Sequence, residues 1–287
     1  MAREIDVMHL GRAHVICAFE VDRLVVDPGP ASCLETLLDG LEHEPRALLL
    51  THIHLDHAGA TGVLMRRFPS LTVYVHESGA PHLADPSRLL KSAGRLYGDR
   101  MQELWGEVAP ADPERLQTLS GGESVEGMRV AHTPGHASHH VSYLHEDTGD
   151  AFVGDVAGVR LPGAPYTVAP TPPPEIDPPV WLQSVEAIAD WNPSALCLTH
   201  FGRHEDVGDQ LERVCESLTT RSEKARDVTP EEFAAWSEAE TRAAVDAETA
   251  DALVQAAPPE QLGLGLRRYW EKKATPSVTT PSGKVPA

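Results

Sequence analysis

The sequence predicts an α/β domain that gathers its chemistry at the ends of buried strands, and three observations predict it. Short apolar runs of strand length, such as Ala47-Leu48-Leu49-Leu50 and Ala195-Leu196-Cys197-Leu198, alternate with amphipathic helical stretches. A histidine or aspartate of metal-ligating type stands just past four of these runs. The composition, 41% hydrophobic and 23% charged over 287 residues, is that of a globular chain able to bury a sizeable core.

Taken in order, Ile5 to Leu10 and His14 to Glu20 read as strands, and Leu24-Val25-Val26 runs into the turn Asp27-Pro28-Gly29-Pro30. An aspartate in that place ordinarily caps a turn; it can also point inward and orient a metal ligand. Cys33 to Leu41 follows as a helix whose stripe of Leu34, Leu37, Leu38 and Leu41 is core packing. The run at 47–50 then ends in Thr51-His52-Ile53-His54-Leu55-Asp56-His57-Ala58-Gly59 and turns into a helix from Ala58 to Phe68. His52 and His54 are two apart, so in an extended segment they share a side, and Asp56 and His57 come after the chain has begun to turn. With 15 histidines in the chain, a lone one is ordinarily a surface or core residue. Three imidazoles and a carboxylate within six residues suit a borderline divalent metal instead.

Further on, Leu71 to His76 is a β-branched strand, and Glu77 to Leu83, Ser87 to Tyr97 and Asp99 to Trp105 are helical. The insertion at 86–113 is expected to cover part of the site. Val125 to Ala131 is a strand ending in His132-Thr133-Pro134-Gly135-His136, where the Pro-Gly pair forces a tight turn and presents His136. Val141 to His145 and Ala151-Phe152-Val153 are strands, the second ending in Gly154-Asp155. The segment 161–179 carries eight prolines, so it is neither helix nor central strand. It reads as a stiff wall beside the site. A helix to Trp191, with Leu182, Val185 and Ile188 inward, precedes the run at 195–198, which ends in Thr199-His200. Beyond Glu205 the chain turns into long acidic helices over 205–226 and 230–256, then a short helix from Gln261 to Lys272. The expected division is a catalytic domain over 1–204, an acidic helical extension packing on it over 205–272, and a disordered tail over 273–287.

The net charge of −19 argues against nucleic acid or an anionic membrane as partner, since both need a basic face. Cys17, Cys33, Cys197 and Cys215 form no CxxC pair and read as free thiols. No apolar run has the length of a membrane span, and the first residues lack a signal-peptide core. A small-molecule substrate and a cytoplasmic setting are expected, with homodimerisation through the acidic helices left open.

The ligand-type residues His52, His54, Asp56, His57, His136, Asp155 and His200, in this order and spacing, resemble the metallo-β-lactamase superfamily. The matching pieces are the HxHxDH stretch, the Thr-Pro-Gly-His turn, the Gly-Asp after a short strand, the late Thr-His and the early Asp27-Pro-Gly. The resemblance covers about residues 5–205. It implies an αββα sandwich with two divalent metals at one sheet edge, zinc by preference, iron or manganese compatible. It also implies that His52, His54 and His136 hold one metal, that Asp56, His57 and His200 hold the other, and that Asp155 bridges them. Two cations that share a water lower its pKa to about 7, and the hydroxide formed attacks an ester, lactone or thioester carbonyl. Asp56 is expected to shuttle the proton as well as ligate. Cleavage of a phosphodiester or phosphotriester, and persulfide-dioxygenase chemistry on a non-haem iron, are the alternatives. His140 stands where relatives often keep a histidine and joins Asp27 as a supporting residue. Arg160, Tyr166 and His204 are candidates for the substrate rim. The tyrosine that commonly follows the bridging aspartate by three residues in the lactonases is Gly158 here. No role is assigned to His139, and His9, His14, His76, His132 and His145 are taken as structural or surface residues.

Overall fold

The computed structural model describes residues 2–274. Its first sheet has six strands in sequential order: β1 (Arg3–Asp6), β2 (Cys17–Val21), β3 (Leu24–Val26), β4 (Ala47–Leu49), β5 (Thr72–His76) and β6 (Leu116–Leu119). β1 to β3 pair antiparallel and β3 to β6 parallel. The second sheet holds β7 (Ser124–Val125), β8 (Met128–His132), β9 (Val141–His145), β10 (Asp150–Gly154), β11 (Ala195–Leu198) and β12 (Gly202–His204), again in sequential order. Only β10 and β11 pair parallel in it.

The strands alternate between two apolar environments, because successive side chains point to opposite faces. Cys17, Phe19, Val26, Leu49, Tyr143, Phe152 and Cys197 form the layer between the sheets, where Phe19 and Phe152 meet edge to face at 5.4 Å. Ala18, Val25, Leu48, Leu50, Val153, Leu196 and Leu198 belong to the core under the helices. Burial on both faces is why these strands read as continuous apolar runs.

Helices cover the outer faces. α1 (Leu34–Gly40), α2 (Leu55–Ala58), α3 (Thr61–Arg67), α4 (Ala80–Ala84), α5 (Ser87–Tyr97) and α6 (Met101–Trp105) belong to the first half of the chain. α7 (Pro178–Ala189) begins the second half, its Asp177 cap accepting from Val180 N. α8 (Val207–Asp227), α9 (Pro230–Ala244), α10 (Ala247–Ala256) and α11 (Pro259–Ala274) form the C-terminal extension. Leu218, Phe233, Leu253, Leu262 and Leu266 are buried in the same core cluster as Trp181 and Val185 of α7. The fully buried Arg221 ties α8 to α9 through Ser237 Oγ (2.6 Å) and Glu240 (3.4 Å).

Several elements differ from the sequence expectation. The helix expected over Ala58 to Phe68 is α3, beginning at Thr61, and a separate single turn before it, α2, holds Asp56 and His57. The expected helix over 230–256 breaks at Asp246, which caps α10 by accepting from Glu248 N and Thr249 N. β6 and β12 were not expected. α11 runs through residues 273 and 274, and the rest of the expected disordered tail lies outside the described residues. Among the described residues no helix is long and apolar enough to cross a membrane.

Candidate metal centre and its cavity

The ends of β3, β4, β8, β10 and β11 meet at one edge of the sandwich. Three hydrogen bonds from β2 and β9 stitch the two sheets together there: Cys17 N to Thr199 O (2.8 Å), Val141 N to Thr51 O (2.8 Å) and Tyr143 Oη to Leu50 O (2.8 Å). Each strand delivers its ligand-type residue to the same point, forming two adjoining clusters, one of His52, His54, His136 and Asp155, the other of Asp56, His57 and His200.

Backbone and side-chain acceptors fix most of the imidazoles from behind. His57 Nδ1 donates to Asp27 Oδ2 (2.8 Å), His136 Nδ1 to Pro170 O (2.9 Å) and His200 Nδ1 to Val15 O (2.5 Å). The Thr51 hydroxyl spends its proton on Asp27 Oδ2 (2.7 Å), so His52 Nδ1, 3.1 Å away, is the donor to Thr51 Oγ1. In its neutral form each of the four rings therefore presents an unprotonated Nε2 to the centre. There the His54 Nδ1 sits 2.9 Å from His52 Nε2 and 3.0 Å from His136 Nε2. Three imidazole nitrogens that close cannot all be satisfied by the one proton His54 can offer. His57 Nε2 and Asp155 Oδ1 are buried without a hydrogen-bond partner among the described residues. A divalent cation satisfies this donor set, and the residues fit one at each cluster.

Asp155 stands between the two clusters. Its Oδ2 is 3.2 Å from His136 Nε2, and its Oδ1 is 3.3 Å from His57 Nε2 and 3.6 Å from His200 Nε2. Asp56 Oδ2 lies 3.4 Å from His200 Nε2 and 3.8 Å from His57 Nε2. The electrostatics follow this split. Burial and the neighbouring imidazoles depress His52, and burial and His136 hold His54 down to about 3. Burial opposes charge on His57 too, but Asp155, Asp56 and Asp27 outweigh it and raise its pKa. Burial works against ionisation of Asp155, yet His57 and His136 keep it well below the usual carboxylate range.

Asp27 is wholly buried, and it is far more than a turn cap. Besides His57 and Thr51 Oγ1, its carboxylate accepts from Thr51 N (2.8 Å) and Thr199 Oγ1 (2.8 Å). The threonine that precedes His52 and the one that precedes His200 thus share one anchor. His140 lies behind the centre, its Nδ1 2.9 Å from Thr133 Oγ1 and its ring 5.1 Å from that of His52. Gly154 separates Thr51 from His140: a Cβ there would come within 2.5 Å of Thr51 Oγ1 and 2.7 Å of His140 Nε2.

The three rim candidates are elsewhere. The Arg160 guanidinium binds Asp206 (2.8 Å), and only its backbone touches the site, donating to His200 O. The Tyr166 hydroxyl accepts from buried Arg221 (2.8 Å) within the C-terminal helices. His204 is an inward residue of β12 bonded to Phe201 O (2.9 Å). None of the three lines the cavity that opens onto the centre. Strand β12, which was not expected, and the particular side-chain contacts of the helical extension account for these placements.

That cavity, about 1140 Å³, reaches His54, Asp56, Asp155 and His200 at its floor. Its walls come from α5 and α6, from Pro170 to Glu175 of the proline-rich segment, and from α10 and α11. The insertion and the proline segment do flank the site as expected, and the extension supplies a wall as well. Sequence reading missed Tyr97, Trp105 and His139. Burial, then the charge of Asp56, raises the pKa of Tyr97, whose hydroxyl donates to Gln261 (3.2 Å). Burial lowers His139 to about 4, and its Nδ1 has no partner among the described residues.

Clustered imidazoles and carboxylates at the joint edge of two facing sheets, open to a walled cavity, define a metal-dependent hydrolase. The chain belongs to the metallo-beta-lactamase superfamily, whose model matches residues 15–200. It is similar to the metallo-beta-lactamase fold-containing protein ST1585 of Sulfurisphaera tokodaii, 28% identical over 210 residues that span 70% of this chain and 76% of that one. The solved structure of the archaeal superfamily protein ST1585 from Sulfolobus tokodaii superposes with a TM-score of 0.70 at 22% identity, covering 93% of this chain and 98% of that chain. A hydroxyacylglutathione hydrolase of Xylella fastidiosa is 35% identical over 136 residues, 46% of this chain and 40% of that one. The chain thus spans less than half the length of that hydrolase.

Proposed function

We propose that the protein is a dinuclear metal hydrolase that cleaves a carboxylic ester, lactone or thioester. The observation that carries this reading is Asp155, whose two oxygens face two separate sets of imidazole and carboxylate groups. His52, His54 and His136 would hold one ion, Asp56, His57 and His200 the other, and Asp155 both; zinc suits so imidazole-rich a set. The bound metals would polarise the carbonyl and acidify water. This chain's residues do the rest. Asp27 keeps His57 Nδ1 protonated and its Nε2 free. Asp56, partly open to the cavity, would take up and return the proton of the attacking water. Pro170 to Pro174, Leu104 and Trp105 exclude bulk water from the floor.

Thioesters and open esters are favoured over acyl lactones. Gly158, with φ +83°, has Thr167 Cγ2 only 2.7 Å from where its Cβ would be, so the lactonase tyrosine has no room there. Tyr166 is no substitute, being held by Arg221. Likeness to hydroxyacylglutathione hydrolases favours a thioester but extends over less than half of either chain.

The experiment is metal content per chain on the purified protein, with a screen of thioesters, esters, lactones and phosphodiesters, before and after chelation. About two zinc or manganese per chain and chelator-sensitive ester or thioester turnover is expected. A folded Asp56→Ala or His57→Ala variant with full activity would sink the reading. About one iron per chain, with oxygen uptake and no hydrolysis, would replace it with the dioxygenase.

A further inference from the structure

The cavity is larger than a small ester needs, and its walls are of two kinds. At about 1140 Å³ it exceeds the roughly 300–1,000 Å³ usual for small-molecule pockets. Leu89, Leu96, Leu104, Trp105 and Leu262 make much of it apolar. Leu10 and Leu264, large apolar side chains left 41% and 44% exposed, also lie on it. Apolar side chains left in water around an apolar pocket mark a surface for an apolar ligand.

The second feature is charge. In a chain of net charge −19, α5 presents Arg88, Ser92 and Arg95 to the cavity, at the i, i+4, i+7 spacing of one helix face. Both arginines are exposed, and neither makes a hydrogen bond or ion pair with a described residue. The nearest influence is Asp85, which feels the charge of Arg88 but is bonded to Ser87 N (3.1 Å). The other cavity arginines are engaged, Arg12 with Gln255 and Arg100 with Glu103. Of the rim carboxylates, Asp251 pairs with Arg242 and Glu175 holds Ser138, while Glu260 stands in the first turn of α11. Two planar donors with free forks, about two turns apart on one helix face of an otherwise acidic molecule, suit a carboxylate or phosphate.

Resting on the hydrolase reading above, we propose that Arg88 and Arg95 bind the anionic end of an amphiphilic acyl ester or thioester whose apolar part lies along Leu89, Leu96, Leu104 and Trp105. Hydrolysis adds the hydroxyl of water to the acyl carbon and its proton to the departing oxygen or sulfur. The charged end is never touched by the chemistry, so these two residues determine specificity and are not catalytic.

Binding tests this apart from turnover. Octyl phosphate, octanoate and octanol are titrated calorimetrically into the metal-loaded protein and into its R88Q/R95Q variant. At least one anion is expected to bind about tenfold or more tighter than the alcohol, from the usual worth of hydrogen bonds to charged groups, and to lose that advantage in the variant. Whichever anion gains more identifies the charged group. Equal binding of all three, or an anion preference that survives R88Q/R95Q because the anion sits at the metals, overturns the proposal. In turnover, the octanoyl thioester of 3-mercaptopropionate is compared with that of 2-mercaptoethanol. The variant should raise KM for the charged thioester about tenfold with kcat unchanged, and leave the neutral one as it was. Hydrolysis of both with equal KM by the wild type overturns the docking while the hydrolase stands. Hydrolysis of neither, with the binding result intact, overturns the hydrolase while the docking stands.

Discussion

Asp27→Asn is the substitution on which the site's architecture depends most. Oδ2 of Asp27 accepts from His57 Nδ1, Thr51 Oγ1 and Thr199 Oγ1, and Oδ1 accepts from Thr51 N. An asparagine that keeps its oxygen on the crowded side retains three partners but turns an NH2 toward the Thr51 N–H. That buried N–H loses its acceptor, at about 1–3 kcal/mol. The three surviving bonds lose their charge assistance, which roughly halves each and adds about 2–4 kcal/mol. The backbone is not disturbed, because Asp27 has φ 46° and asparagine adopts that left-handed region as readily as aspartate. The expected loss, read by urea denaturation of the metal-free protein, is therefore about 3–7 kcal/mol. Zinc affinity should fall about 10–100-fold, since His57 loses the carboxylate that orients it. Competition with a chromophoric chelator measures that second quantity. A variant within about 0.5 kcal/mol of the wild type and within about twofold in affinity would refute the reasoning, because that is the range of surface substitutions.

Three further outcomes are expected. Gly154→Ala should cost about 2–4 kcal/mol and weaken metal binding, as its Cβ collides with Thr51 and His140 at a φ of 47°; an unchanged melting curve would contradict the close approach. Arg221→Met should cost about 1–3 kcal/mol, toward the lower side of a broken buried ion pair because Glu240 keeps access to water; circular dichroism in urea measures it, and no change would mean the hydroxyls around Arg221 contribute nothing. The third concerns acid. Burial works against ionisation of Asp206, but Arg160 and Arg213 pull its carboxyl from the ordinary 3.8 to about 2. The folded pKa lies below the unfolded one, so this stabilisation is complete above about pH 4 and is lost as pH falls toward 2. The stability gap between wild type and Arg160→Gln should accordingly shrink between about pH 4 and pH 2 in urea titrations; a constant gap would show that the pair is not what Arg160 contributes.

Much of the centre was legible in the sequence because its ligand-type residues follow strand ends, and strand ends are written as apolar runs. Ala47 to Leu50 and Ala195 to Leu198 are apolar throughout since each strand is buried on both faces. Local spacing then carries His52, His54, Asp56 and His57 to one place. The threonines at 51 and 199 were visible as a repeated pattern, but their common reason, Asp27, sits 24 and 172 residues away.

What the sequence by itself determined is the inventory: which strands are buried, which donor types end them, and that a cation chemistry fits. What only the tertiary structure decided is what surrounds that inventory. Tyr166 and Arg160 looked available and are consumed by α8 and α9, because a polar side chain's partner depends on which helix packs over it. α10 and α11 wall the cavity with α5, though residues 87–97 and 247–274 are far apart in the chain and their periodicity marks only an inward face. The proline segment supplies Pro170 O as the acceptor for His136 Nδ1, a backbone role that no residue identity announces. Short-range pattern encodes an element and its apolar side; non-local packing chooses the neighbour, and in this protein the neighbours make the substrate cavity.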